Sequence, residues 1–137
     1  MKFRSDINGR ITGIRFYKAA GNTGVHVANL WSSTGTLLAT ATFSGESASG
    51  WQQVNFPTPV AINANTTYVA SYHTNVGHYS ADTGFFASAG VDSPPLHALS
   101  NAAGGSNGVY KYSSTSAFPT STFQSTNYWV DVVFTSP

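Results

Sequence analysis

Few side chains in this 137-residue sequence can do acid, base or metal chemistry. There are five carboxylates (Asp6, Glu46, Asp82, Asp92 and Asp131), four histidines (His26, His73, His78 and His97) and no cysteine. A glycosidase needs two carboxylates facing each other across a cleft. Asp82 and Asp92, on one long polar stretch, are the only couple that suits it. No Gly-x-Ser-x-Gly elbow follows a strand pattern, so a Ser-His-Asp hydrolase has no support. The histidines lack both i, i+4 and zinc-finger spacings, which leaves transition-metal ligation without a pattern. Hard oxygen donors fit the composition better. A structural calcium would draw on Asp82, Asp92, Asn22 and Asp131, with no EF-hand spacing to choose among them. The expectation is a protein that is not an enzyme.

The charge balance narrows the partners. Charged residues make up 8% of the chain and the formal net charge is +1, against roughly a quarter charged in ordinary globular domains. Six scattered Lys and Arg give no footprint for phosphate-backbone binding by counterion release, nor for an anionic lipid surface. No nucleic acid and no membrane are expected as partners. No run of eighteen apolar residues exists, and no apolar export segment follows Met1-Lys2-Phe3-Arg4. A low-charge surface of Ser, Thr, Asn and Gly without disulfides fits a secreted or cell-surface module.

The aromatic residues are the informative set. At 14% of the chain, with three tryptophans and seven tyrosines, they exceed what one small core hides, and a polar protein that exposes rings uses them for contact. A pyranose has apolar C–H faces that stack on Trp or Tyr, and hydroxyls that pair with Asn, Asp, His and Arg without net charge. Trp51, opening a strand after Gly50, is expected in the core, and Trp31, alternating with Val25 and Val27, is open to either reading. The binding candidates are Tyr72, His73, His78, Tyr79, Tyr110 and Trp129. They gather around the mouth of the long loop, and His73 and His78 are expected to approach each other across the turn through Asn75 and Gly77.

Short β-branched runs with period-2 alternation, separated by Gly, Asn and Pro signals, supply the elements that must position these groups. Strands are expected at Ile11–Tyr17, Val25–Trp31, Leu37–Phe43, Trp51–Phe56, Thr66–His73, Val109–Tyr112 and Tyr128–Phe134. Pro57 and Pro59 are expected to end the fourth by removing backbone donors. In the last, Tyr128, Val130, Val132 and Phe134 should face the core and Trp129 should face away. Between Thr74 and Ser106 only Gly84-Phe85-Phe86-Ala87 and a rigid Ser93-Pro94-Pro95-Leu96 segment interrupt a polar stretch, which reads as a long loop, either functional or poorly ordered.

Six pieces in order carry a resemblance: Thr12-Gly13-Ile14-Arg15-Phe16-Tyr17-Lys18, Asn22-Thr23-Gly24-Val25-His26, Leu30-Trp31-Ser32-Ser33-Thr34-Gly35, Gly50-Trp51-Gln52-Gln53-Val54, Thr67-Tyr68-Val69-Ala70-Ser71-Tyr72-His73 and Asn127-Tyr128-Trp129-Val130-Asp131-Val132-Val133-Phe134. With their spacing they make the chain resemble the bacterial domain-of-unknown-function family 4082. The resemblance implies an accessory β-sandwich from a longer secreted multidomain protein, with no settled chemistry. It also implies a strand ahead of Ile11, for which only Phe3 to Asn8 is available.

The combined expectation is one all-β domain over residues 1–137, a jelly-roll-like antiparallel β-sandwich of about eight strands. Its expected work is non-catalytic: binding a polysaccharide or oligosaccharide so that a linked domain is held against it. The alternative is a structural or adhesive spacer whose aromatics pack on neighbouring domains of the parent chain.

Overall fold

Alternation along the second strand sets the sandwich. In β2 (Gly9–Lys18), Ile11, Ile14 and Phe16 are fully buried while Arg10 and Tyr17 face solvent. Ile11 and Ile14 share the inner face despite their odd spacing because the pairing of β2 with β5 (Gly50–Ile62) slips between Ile11 and Gly13. Ile11 lies opposite Val60 and Gly13 opposite Asn55, so Phe56, Pro57, Thr58 and Pro59 bulge out across from Thr12. A β-carbon on Gly13 would sit 2.3 Å from the Val54 carbonyl oxygen, so only glycine permits this approach.

The computed structural model describes residues 1–137. β11 (Val130–Thr135), β2 and β5 form a three-stranded antiparallel sheet with β2 in the middle. The opposing six-stranded sheet runs β4 (Leu37–Thr42), β3 (His26–Ser32), β6 (Tyr68–Thr74), β1 (Lys2–Ser5), β8 (Leu96–Ala98) and β7 (Val91–Ser93), also antiparallel throughout. A two-stranded ribbon of β9 (Val109–Tyr110) and β10 (Ser121–Thr122) completes an all-β sandwich. The one helix, α1, is the single turn Asn101–Gly104, capped by the Ser100 side chain.

The core lies between the sheets, where Phe3, Ile11, Ile14, Phe16, Leu30, Phe43, Phe56, Ile62 and Phe86 meet. A second, smaller cluster of Trp31, Val69, Val109 and Phe118 packs on the opposite face of the large sheet, under the chain that follows β9. Trp31 is thus buried, with its Nε1 donating to Ser71 Oγ at 2.8 Å.

Several expectations are corrected. There are eleven strands rather than about eight. The stretch from 74 to 106 carries β7, β8 and α1, and the two prolines at 94 and 95 turn β7 into β8. β8 and β7 extend the large sheet from β1, so the strand implied ahead of Ile11 is an interior strand. β5 runs on through Pro57 and Pro59, because β5 is an edge strand and both prolines lie in its bulge, where no ladder donor is missed. Trp51 is 43% exposed rather than core. Gln52, Val54 and Phe56 take the inward positions of β5, and parity turns Trp51 outward. Tyr128 lies outside the last strand, because Trp129 adopts φ 55° and breaks the alternation ahead of Val130.

Phe16→Ala should lower stability by about 3–5 kcal/mol in urea unfolding, the range for a buried aromatic ring. Trp51→Ala, at an exposed position, should change it by less than about 1 kcal/mol. Equal losses would contradict this assignment of faces.

Candidate functional site

The aromatic and polar candidates divide among three places. The first is a cleft of about 450 Å³ between β6 from Ala70 to Thr74 and the chain from Val109 to Pro119, closed by Tyr128 and Val130. Tyr72, His73, Tyr79 and Tyr110 all line it, together with Tyr112 and Tyr128. The rings form an edge-to-face chain. Tyr79 meets Tyr128 at 5.4 Å, Tyr128 meets Tyr110 at 6.0 Å, and Tyr110 meets Tyr112 at 5.5 Å between centroids. The Tyr79 and Tyr112 hydroxyls share a 2.8 Å hydrogen bond. That bond above all, with desolvation second, pushes the Tyr79 phenol up to about 12. Burial raises Tyr128 as well. All these phenols are neutral near pH 7 and offer hydroxyls without charge.

His73 belongs to the cleft wall and donates from Nε2 to the Ser113 carbonyl oxygen at 3.0 Å, which fixes the covering segment. Asn29, also lining the cleft, has a buried Oδ1 that accepts no hydrogen bond. Tyr72 contributes only its ring. Its hydroxyl is buried beside Asn22 without a well-aligned partner, and desolvation drives its ionisation far above the ordinary range.

Behind Tyr72 runs a buried polar relay. Lys18 Nζ lies 3.1 Å from the Glu46 carboxylate, which meets His26 Nδ1 at 2.9 Å. His26 Nε2 meets Asn22 Oδ1 at 2.9 Å, and the Thr74 hydroxyl donates to the same oxygen. This relay ties β2, β3 and β6 to the turns at residues 19–25 and 43–49. His26 and Asn22, both fully buried, are structural members of it and do not face the cleft.

The second place is a shallow hollow of about 390 Å³ lined by Tyr17, Trp51, Ser80, Ala81, Asp82 and Trp129. Trp129 therefore stands apart from the cleft, with Nε1 donating to Asp82 Oδ2 at 2.6 Å. His78 is exposed and lies against the turn at Gly21, whereas His73 reaches Ser113, so the two do not meet as expected. The turn through Asn75 and Gly77 directs them to different neighbours, and His78 does not line the cleft.

The third place is an exposed cluster beside β1, β7 and β8. His97 lies between two carboxylates, with Nδ1 2.6 Å from Asp92 and Nε2 2.6 Å from Asp6. Arg4 joins Asp6 at 3.3 Å. Asp92 belongs here and Asp82 to the tryptophan hollow, so the one couple that would suit a glycosidase does not form. Asp131 pairs with Arg15 at 3.2 Å, and Asn22 lies in the relay. The four expected calcium donors thus occupy four separate settings, and no three acidic, histidine or cysteine side chains converge on a metal-sized space.

Tyr112 and Tyr128 complete the cleft beyond the sequence candidates. For Tyr112 the signal was its place two residues after Tyr110. For Tyr128 none existed, because strict alternation assigns it to the core.

The fold and these surfaces define an all-β antiparallel sandwich bearing two aromatic-lined depressions. The chain belongs to the family described as Domain of unknown function (DUF4082), whose profile matches residues 1–130. Comparison with curated proteins and with solved structures gives no significant match.

The His97 cluster predicts a pH signature. Its bonds to Asp6 and then Asp92 raise His97, and the bond to His97 is the main cause of lowering Asp6. The His97 contribution is complete below its ordinary value of 6.5 and disappears as pH rises through the raised value. The Asp6 contribution is present above its ordinary value of 3.8 and disappears as pH falls through the lowered value. The difference in thermal midpoint between wild type and His97→Gln should therefore be largest between pH 3.8 and 6.5. It should shrink on either side and in high salt.

Proposed function

We propose that this chain is a non-catalytic carbohydrate-binding module, acting outside the cell or at its surface to hold a linked domain against a polysaccharide. The observation that carries this is the tyrosine cleft. Its rings supply apolar faces, its phenols, His73 and Lys111 supply hydrogen-bonding groups, and Asn29 Oδ1 lacks the donor that a sugar hydroxyl would bring. No carboxylate lines it, which disfavours acid–base hydrolysis there. Targeting of this kind raises the effective concentration of a partner domain without chemistry of its own.

A spacer or adhesive role is favoured by a different observation. Leu37 and Leu38 are exposed on the edge strand β4, and Val25 is exposed just ahead of β3. That reading requires docking of a neighbouring domain on this edge and no glycan affinity.

The deciding experiment is affinity electrophoresis in gels containing hydroxyethylcellulose, xylan, galactomannan, soluble starch or laminarin. Retardation by at least one is expected, with Tyr110→Ala weakening it about tenfold, the equivalent of one aromatic contact of roughly 1.4 kcal/mol. A chelator in the gel should leave retardation unchanged, because no carboxylate lines the cleft. Mobility equal to that in a plain gel for all five polymers would reject the carbohydrate reading in favour of the spacer.

A further inference from the structure

Trp129 is held in a backbone conformation that a bulky residue rarely adopts, at φ 55°. The surroundings over-determine it. Its N–H donates to Asn127 Oδ1 at 2.7 Å, and its carbonyl accepts from the Tyr17 N–H at 2.9 Å. Asn127 is itself buried, and its backbone exchanges two 2.9 Å hydrogen bonds with Asp82. One clamp thus fixes both Trp129 and the carboxylate to which its indole N–H donates. Strain maintained this way at a half-buried ring lining a hollow points to a ligand site.

The neighbouring groups have the same character. Trp51 and Tyr17 are each 43% exposed in the hollow. The Arg15 guanidinium sits 5.0 Å from the Trp51 ring and is tied to Asp131, which neutralises it. Asp82 and Ser80 add hydroxyl partners on the rim. The rings do not form a flat shelf. Trp51 and Trp129 meet at 75°, and Tyr17 and Trp51 at 87°. Such a corner offers successive, differently oriented faces to successive sugars of a flexible chain. A flat crystalline polymer could touch only one of them.

The hollow and the cleft share a wall one residue thick. Tyr79 lines the cleft and Ser80 the hollow, and likewise Tyr128 and Trp129. Neighbouring Cα atoms are about 3.8 Å apart, so the two depressions lie on either side of the same backbone segments.

We infer that the Trp51–Trp129 hollow is a second sugar subsite, and that the ligand is a single soluble glycan chain spanning cleft and hollow. This rests on the carbohydrate reading above. Intrinsic fluorescence separates the two sites, because both hollow tryptophans are solvent-facing while no tryptophan lines the cleft.

The probes are the cello-, xylo-, manno- and malto-oligosaccharide series, from monosaccharide to hexasaccharide, titrated by calorimetry and by tryptophan emission. Short members of the series that binds should leave emission unmoved, and longer members should shift it and bind at least tenfold tighter. Trp51→Ala should remove that gain while preserving short-chain binding, and Tyr110→Ala should weaken every length. Trp129→Gly, which suits the positive φ, should repeat the Trp51→Ala result with an unchanged circular dichroism spectrum. Affinity independent of length with emission unmoved, a length-dependent gain retained in both tryptophan variants, or retention on microcrystalline cellulose would overturn the second subsite and leave the cleft reading intact. Absence of binding to every series would overturn both.

Discussion

Phe16, on the middle strand of the small sheet, meets three rings from three other segments. It stacks on Tyr72 at 4.3 Å, takes the edge of Phe43 at 4.8 Å and touches His26 at 4.9 Å. One fully buried side chain therefore joins the apolar core, the polar relay and the wall of the cleft. That apolar cover strengthens the attractions within the relay and raises the cost of any partner left unmade, such as Asn22 Nδ2. Tyr72 likewise keeps its place in the cleft because its ring is pinned from behind, while its hydroxyl gains nothing from being buried. The shape of the cleft and the stability of the core are coupled at this one contact.

The scarcity of charge shapes everything around it. Each of the five carboxylates has a specific partner: Glu46 has Lys18 and His26, Asp131 has Arg15, Asp82 has the Trp129 indole, and Asp6 and Asp92 share His97. None is paired with another carboxylate for acid–base work. Most charged residues connect segments that are distant in the chain, and the depressions are lined mainly by rings, hydroxyls and amides, with Lys111 in the cleft and Asp82 in the hollow.

Much of this was legible in the sequence, and the limits are physical. β2 announces itself because one face is buried and alternation is enforced, and β3, β6 and the body of β11 because they are apolar and aromatic runs with little exposed surface. β7 and β8 do not, because no residue of either strand is fully buried and three residues are too few to show a period. Trp51 was misplaced because Gln52 occupies the inward position next to it. That amide folds onto Ser47 and Gly50 instead of marking a polar face. Four of the six candidate site residues, Tyr72, His73, Tyr79 and Tyr110, line one cleft. The separation of Trp129 from them follows from a positive φ at a tryptophan, which no residue-type preference announces. His78 lay beyond reach because a turn's direction is decided by what it packs against.

The bulge at Phe56 to Pro59 has a consequence for how this molecule lives among copies of itself. A free sheet edge is a template for another strand, and one edge here is poorly defended: β4 offers Leu37 and Leu38 with no charge or proline along its length. On β5 the two prolines lack the N–H groups a visiting strand would need, and the bulge bends the backbone out of register at the same point. The three-stranded sheet is consequently closed to addition along that side. Any self-association at high concentration is left to edges without such protection, among them the apolar β4 edge of the other sheet, which packs beside β5.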